Sequence, residues 1–343
     1  MNIFLYLIIL SYVFTSKPLI KFNMLLVVNT SGFFMFLINL ILLSFSSSSL
    51  FIQWVCLEVG ILCVIPLLIN FSTRGGVKLS VKYFISQRPA SVVLIISVLL
   101  INKLDLTYYF FSLAIFFKLG IPPFQGWIFN IIPLINFWSI FLLLTMQKFI
   151  PLIILRRVGI PLFLSITSLF IFIIIIIIFI NLINSSYYLL LISSLLNVFW
   201  VLNIVDYSLI WVDFIVVYAL ISRSFIFIIN IAGLNFIRDL LLADRLIKRL
   251  AVLRLLNIRG IPPFTGFIIK LIILKPLIVV GLLYSGILIF ASIMIIFIYI
   301  NISYQLNRMK FYFFRFNSFN IYKLGIIIRS LLISPLVYLI VLF

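Results

Sequence analysis

Uninterrupted apolar runs constrain this chain more than any other feature. Ile173 to Ile178 is six isoleucines in a row, and long greasy stretches recur from one end of the sequence to the other. A run of about 20 apolar residues, coiled as a helix, matches the hydrocarbon thickness of a bilayer. A membrane barrel strand would instead alternate apolar and polar residues, and these runs do not. Of 343 residues, 66% are hydrophobic and 9% charged, whereas soluble domains carry roughly a quarter charged residues. The chain therefore reads as an all-α polytopic membrane protein, with room for about eleven or twelve transmembrane helices. Candidate spans fall at 3–16, 24–43, 50–70, 80–101, 107–124, 133–155, 161–183, 187–205, 208–232, 258–280, 281–304 and 324–343.

The 25 Lys and Arg against 6 Asp and Glu leave a net charge of +19. In a membrane chain this excess orients the spans, because basic loops stay on the cytoplasmic or matrix side. Counting crossings puts four basic connections on one side: Lys17 and Lys21; Arg74, Lys78 and Lys82; Arg238 to Arg254; and Arg308 to Lys323. Arg156 and Arg157 fall on the other side and break the rule. No aromatic interleaving accompanies the charges, so nucleic acid is not an expected partner. Lys82, Gln87 and Arg88 read as an interface anchor at the start of their span. The segment Asp239 to Asn257 mixes charge with Leu and Ile at helical spacing, which predicts a surface-lying amphipathic helix. Histidine is absent, which excludes imidazole metal sites and histidine catalysis. Cys56 and Cys63 lie in one apolar segment without a CxxC pattern, and read as packing residues. The first 16 residues lack the basic start of a targeting peptide.

Against this background four charges stand out. Glu58, the only glutamate, sits near the middle of its span, and Lys118, Lys148 and Lys270 lie in stretches that otherwise read as membrane core. A charge at the bilayer centre costs on the order of 3 kcal/mol on insertion scales, so such residues usually mark an ion or proton path. Lysine suits this role because its pKa shifts readily on burial. Snorkelling to the interface is the bland reading for Lys118 and for Lys275, which lie near span ends. Lys148 and Lys270 are deeper.

A seven-residue motif, Gly120-Ile121-Pro122-Pro123-Phe124-Gln125-Gly126, recurs as Gly260-Ile261-Pro262-Pro263-Phe264-Thr265-Gly266, with one difference. Proline lacks an N–H and its ring clashes with the preceding turn, so each copy predicts a broken helix. Pro122 and Pro123 deprive the carbonyls of Lys118 and Leu119 of their i+4 partners, as the second pair does in its own helix. In lipid such carbonyls must be satisfied by protein or by water in a cavity. The crossing count inserts the two copies in opposite directions, and inverted repeats with interrupted helices are typical of secondary-transport folds. The predicted organisation is an N-terminal extension at 1–22, a first part at 23–183 with the break near 120–126, a second inverted bundle at 184–304 with the break near 260–266, and a C-terminal loop and final helix at 305–343.

Taken in order, several pieces resemble the subunit 2 family of mitochondrial NADH:ubiquinone oxidoreductase, the respiratory complex I. These are Trp54 to Pro66 around Glu58; Lys82-Tyr83-Phe84 with Gln87; Lys118-Leu119-Gly120 through Phe124 and Trp127; Gln147-Lys148 with Pro151; Ser193-Ser194 with Trp200; and Gly260 to Gly266 followed by Lys270. The resemblance implies an antiporter-like, proton-translocating subunit of the membrane arm, multi-pass in the inner mitochondrial membrane. It pairs Glu58 with Lys118, makes Lys148 the central relay and Lys270 the terminal lysine of the second half. It implies neighbouring antiporter-like, small core and accessory subunits, together with lipids, as partners. Flavin mononucleotide, iron–sulfur clusters and ubiquinone would belong to other subunits, so the chain would serve an enzyme without an NADH or redox site of its own. Where the family often has histidine, Gln125 and Asn197 stand here. A stand-alone cation/proton antiporter subunit and a structural membrane scaffold are the alternative readings.

Overall fold

A computed structural model of the chain describes residues 24–71, 75–100, 105–132, 135–179, 186–205, 209–232, 245–262 and 264–308. The expected extension at 1–22, the final span at 324–343 and Pro263 lie outside these residues, as do Lys17, Lys21, Arg74 and Arg238. The described residues form an all-α fold. Its helices are α1 (Met24–Ser46), α2 (Leu50–Phe71), α3 (Gly76–Leu100), α4 (Asp105–Leu119), α5 (Gly126–Ile131), α6 (Phe137–Leu144), α7 (Phe149–Val158), α8 (Leu162–Phe179), α9 (Ser186–Leu202), α10 (Ile210–Ala232), α11 (Arg245–Arg259), α12 (Thr265–Val280) and α13 (Leu282–Arg308). Even the isoleucine run of α8 is helical, although β-branched residues favour strands in water. Hydrocarbon offers the backbone no other partner, so each span must close its own hydrogen bonds. Among the described residues, Leu50–Asn70, Gly76–Leu100, Trp138–Val158, Ile210–Ile229 and Tyr284–Asn301 are each long and apolar enough to cross a membrane.

The chain divides into two compact units between Phe172 and Ile173, inside α8. In the first unit α1 to α4 pack in sequence, and α7 lies against α1, α2 and α4. The expected single span at 133–155 is two helices: α6 ends at Leu144, a 3-10 turn covers Met146–Lys148, and α7 resumes at Phe149. Phe149 to Leu155 are all buried, so this interrupted rod forms the centre of its unit. Arg157, the exception to the charge rule, donates to the Ser47 carbonyl just past the C-terminus of α1. Its position follows from a helix-end dipole that favours a cation there.

In the second unit α10 packs on α11, and α11 packs on α13. Of the segment expected to form a surface-lying amphipathic helix, residues 245–257 are described, and they are helical. The apolar face of Ile247, Ala251, Leu255 and Ile258 is buried, and Arg249 and Leu253 are exposed. The departure from the expectation is that Arg254 and Arg259 are each only 1% exposed, where α11 leads directly into the second repeat.

The repeat builds the same turn twice. After α4, Gly120 adopts φ +69, its N–H bonds to the Phe117 carbonyl, and the Ile121 N–H bonds to Phe116. After α11, Gly260 adopts φ +73, with Asn257 and Leu256 as the matching acceptors. This left-handed residue with a 6→1 bond is a Schellman cap, which glycine closes without strain. A turn from Ile121 to Phe124, and from Ile261 to Phe264, follows. The glycine thus stops each helix before the prolines act.

Candidate functional site

Lys118 occupies the last turn of α4, where the helix dipole favours a cation. Its Nζ donates to Glu58 Oε1 of α2 at 2.8 Å. The lysine side chain is 2% exposed and the glutamate 15%, so this ion pair is largely out of solvent. Arg88 of α3 approaches the other carboxylate oxygen, with Nη1 3.9 Å from Oε2, and its guanidinium lies 4.2 Å over the Phe84 ring. One carboxylate therefore faces two cations. Of Lys82, Gln87 and Arg88, expected as an interface anchor, Lys82 is exposed, whereas Gln87 is buried and Arg88, with its side chain 48% exposed, meets Glu58.

Beside Lys118 lies a cavity of about 30 Å³, lined by Tyr83, Gln87, Lys118, Met146, Gln147 and Pro151 among others. That is room for a water molecule with several polar partners. Gln147 donates to the Tyr83 hydroxyl across this space. Lys148 follows in sequence, buried at 6% exposed, as the last residue of the 3-10 turn and the residue preceding α7. Tight 3-10 turns within a helix often mark functional positions. Here the turn carries Lys148 in the middle of the unit, and Thr145 Oγ1 donates to the Phe141 carbonyl on its N-terminal side at 2.7 Å. Trp127 Nε1 donates to the Phe117 carbonyl at 3.0 Å, which also accepts from the Gly120 N–H, tying α5 to the end of α4.

In the second unit, Lys270 of α12 is buried and its Nζ donates to the Arg259 carbonyl at 2.7 Å. Arg259 is stacked 4.3 Å over Tyr299, and its Nε and Nη2 have no hydrogen-bond partner among the described residues. The Tyr299 hydroxyl donates to Leu189 at 2.8 Å, and the Tyr218 and Ser193 hydroxyls lie 3.2 Å apart. Asn257 Oδ1 accepts from Thr265 Oγ1 at 3.0 Å and from the Gly266 N–H at 3.1 Å, holding the start of α12 against the end of α11.

Thus Glu58 and Lys118 are in contact, Lys148 lies in the same unit, and Lys270 belongs to the other unit. Pro122 lies in the turn after Gly120, and Pro262 in the matching turn after Gly260. Sequence reasoning gave Gln87 and Arg88 only an anchoring role, and gave Tyr83 and Arg259 none. Leu79, Tyr83 and Gln87 recur at i+4 on α3, a buried face that the pattern carried. Arg259 was signalled only by an arginine abutting the glycine of the repeat. Gln125 and Asn197 are both buried.

No protein-family profile matches the chain. It is 28% identical over 256 residues to NADH-ubiquinone oxidoreductase chain 2 of Mus musculus, covering 68% of this chain and 73% of the relative. It is also 28% identical over 279 residues to the chain of the same name from Rhipicephalus sanguineus, covering 76% and 84%. Among solved structures, a chain of respiratory complex I from Thermus thermophilus with bound aureothin matches with a TM-score of 0.66 at 14% identity, covering 91% of this chain and 81% of that one. A chain of the Mrp complex from Dietzia sp. DQ12-45-1b matches with a TM-score of 0.63 at 16% identity, covering 78% and 59%. The two structural likenesses speak to the fold.

Proposed function

We infer that this chain is a member of the NADH-ubiquinone oxidoreductase chain 2 family and works as a proton-translocating subunit in the membrane arm of that complex, in the inner mitochondrial membrane. The observation that carries the reading is the buried Lys118–Glu58 contact at 2.8 Å beside a cavity of water size into which Tyr83, Gln87, Lys118 and Gln147 face among apolar residues. Redox chemistry takes place in other subunits, which hold the flavin mononucleotide, iron–sulfur clusters and ubiquinone. This chain answers it electrostatically. With Glu58 held against Lys118, the ammonium keeps its proton. When the pair is loosened by charge arriving from a neighbouring subunit, Lys118 releases the proton through the cavity, by way of Gln147 and Tyr83, to Lys148. Lys270 acts as the titrating lysine of the second unit. Pro122, Pro123, Pro262 and Pro263 keep the two interrupted helices from closing into continuous rods.

The magnitudes allow this. Two unit charges 2.8 Å apart attract by about 6 kcal/mol at an effective dielectric near 20. Moving one charge against the membrane potential costs about 2.3 kcal/mol per 100 mV. Breaking one such pair is therefore enough to release one proton against a physiological potential.

Lys148→Ala or Glu58→Gln is expected to cut the proton-to-electron ratio and coupled turnover in reconstituted vesicles while the complex still assembles. An unchanged ratio would contradict the assignment. A second reading is a stand-alone cation/proton antiporter subunit, which would use the same buried lysines without a redox partner. Co-purification with a flavin- and iron–sulfur-containing assembly separates the two. In a pure membrane scaffold, Lys148→Met would leave activity intact.

A further inference from the structure

Glu58 cannot stand alone in hydrocarbon, yet the relay requires Lys118 to become neutral. If Lys118 were the sole counter-ion, its departing proton would have a nearby acceptor in the carboxylate it leaves behind. The transfer would then end on Glu58 and go no further. Arg88 changes this balance. Its guanidinium approaches the oxygen that Lys118 does not use, 3.9 Å from Oε2, and arginine is not deprotonated in proteins. Its side chain is 48% exposed, yet its guanidinium is stacked on the ring of Phe84 and lines, with Trp54, Glu58, Leu62 and Ser91 among others, a groove of about 200 Å³. Both contacts place it on the side of Glu58 that Lys118 leaves open.

Resting on the proton-relay reading, we propose that Arg88 is a positioning residue that remains as the counter-ion of Glu58 when Lys118 gives up its proton, and so directs that proton to Lys148 instead of to the carboxylate. The step balances. An N–H bond breaks at Lys118 Nζ, the proton crosses the cavity, and an N–H bond forms at Lys148 Nζ. The site passes from two cations and one anion to one of each. The Glu58 carboxylate is unchanged throughout.

The test is Arg88→Leu in the intact complex, read by redox-triggered infrared difference spectroscopy and by proton pumping in vesicles. A protonated-carboxyl C=O band is expected, absent from the wild type and abolished by adding Glu58→Gln. Pumping should fall about tenfold, the equivalent of one pK unit. Arg88→Gln, polar and closer in shape, should behave alike and carries the test if the leucine variant does not assemble. Arg88→Lys, which keeps the charge, should pump better than either and show little of the band. Near-normal pumping without the band in the leucine or glutamine variant overturns the role of Arg88. Lys148→Met is measured alongside. Normal pumping there overturns the relay and this proposal with it, whereas lost pumping in Lys148→Met with an unaffected Arg88→Leu overturns the role of Arg88 alone.

Discussion

The two units share a backbone device and differ in charge. Each ends a 15-residue helix, α4 or α11, on a left-handed glycine, and in each the phenylalanine N–H then bonds back to the isoleucine carbonyl. Yet Lys118 donates to a carboxylate, while Lys270 donates to the backbone carbonyl of a buried arginine. The closing contacts differ as well. An indole N–H reaches the Phe117 carbonyl in the first unit, and an asparagine side chain caps α12 in the second. The repeat thus fixes where a helix stops and where its polar groups gather. The residues flanking it decide whether the neighbouring lysine has an anion or a second cation for company.

That contrast can be broken by mutation, and the largest effect is expected at Glu58. Glu58→Ala strands Lys118 as a buried cation, which costs about 3–5 kcal/mol when one partner of such a pair is removed. Thermal unfolding of the assembled complex should show the loss, and adding Lys118→Met should recover most of it. A single mutant as stable as the wild type would mean that the pair is not buried as described. Next comes Gly260→Ala. A Cβ there would stand 2.6 Å from the Gly266 carbonyl oxygen, and the residue has a positive φ. Backbone strain and overpacking together give roughly 3 kcal/mol. Gly120→Ala meets only the end of the Ile128 side chain, which can rotate away, so it should cost visibly less. Equal losses at the two glycines would contradict this asymmetry.

Arg259→Leu is expected to have the opposite sign. Replacing a buried cation whose Nε and Nη2 lack partners with an apolar side chain should stabilise the second unit by about 1–2 kcal/mol. A lowered melting temperature would reveal an acceptor for the guanidinium in the assembled state. The smallest effect is expected from Trp127→Phe, which removes one hydrogen bond to Phe117 and should cost about 1 kcal/mol.

The fold class was legible because hydrocarbon allows the backbone one economical solution, and runs such as Ile173 to Ile178 announce it. The stopping points at Gly120 and Gly260 were legible as helix breaks, although the prolines drew attention to a stop that the glycine makes. The pattern reads through the 3-10 turn before α7 as one span, although Pro151, which offers the Gln147 carbonyl no N–H, lies three residues past it. Two features were not legible. The burial of one face of α11 depends on neighbours that supply an apolar surface from distant sequence, and its charges pointed the other way. The meeting of Arg88 with Glu58 depends on how α2 and α3 pack, which no spacing within α3 announces. Glu58, Lys118, Lys148 and Lys270 drew attention as charges in apolar surroundings, but only tertiary packing could say which of them touch.

The central claim is that a proton passes from Lys118 to Lys148 through the cavity that Tyr83, Gln87 and Gln147 line. A high-resolution density map of the intact complex, with ordered waters, tests it most directly. Water hydrogen-bonded to Gln147 or Tyr83 and linking the side-chain nitrogens of Lys118 and Lys148 in a continuous chain is the expected result. Close-packed apolar side chains between Lys118 and Lys148, with no ordered water and either lysine turned out toward the headgroups, would contradict it.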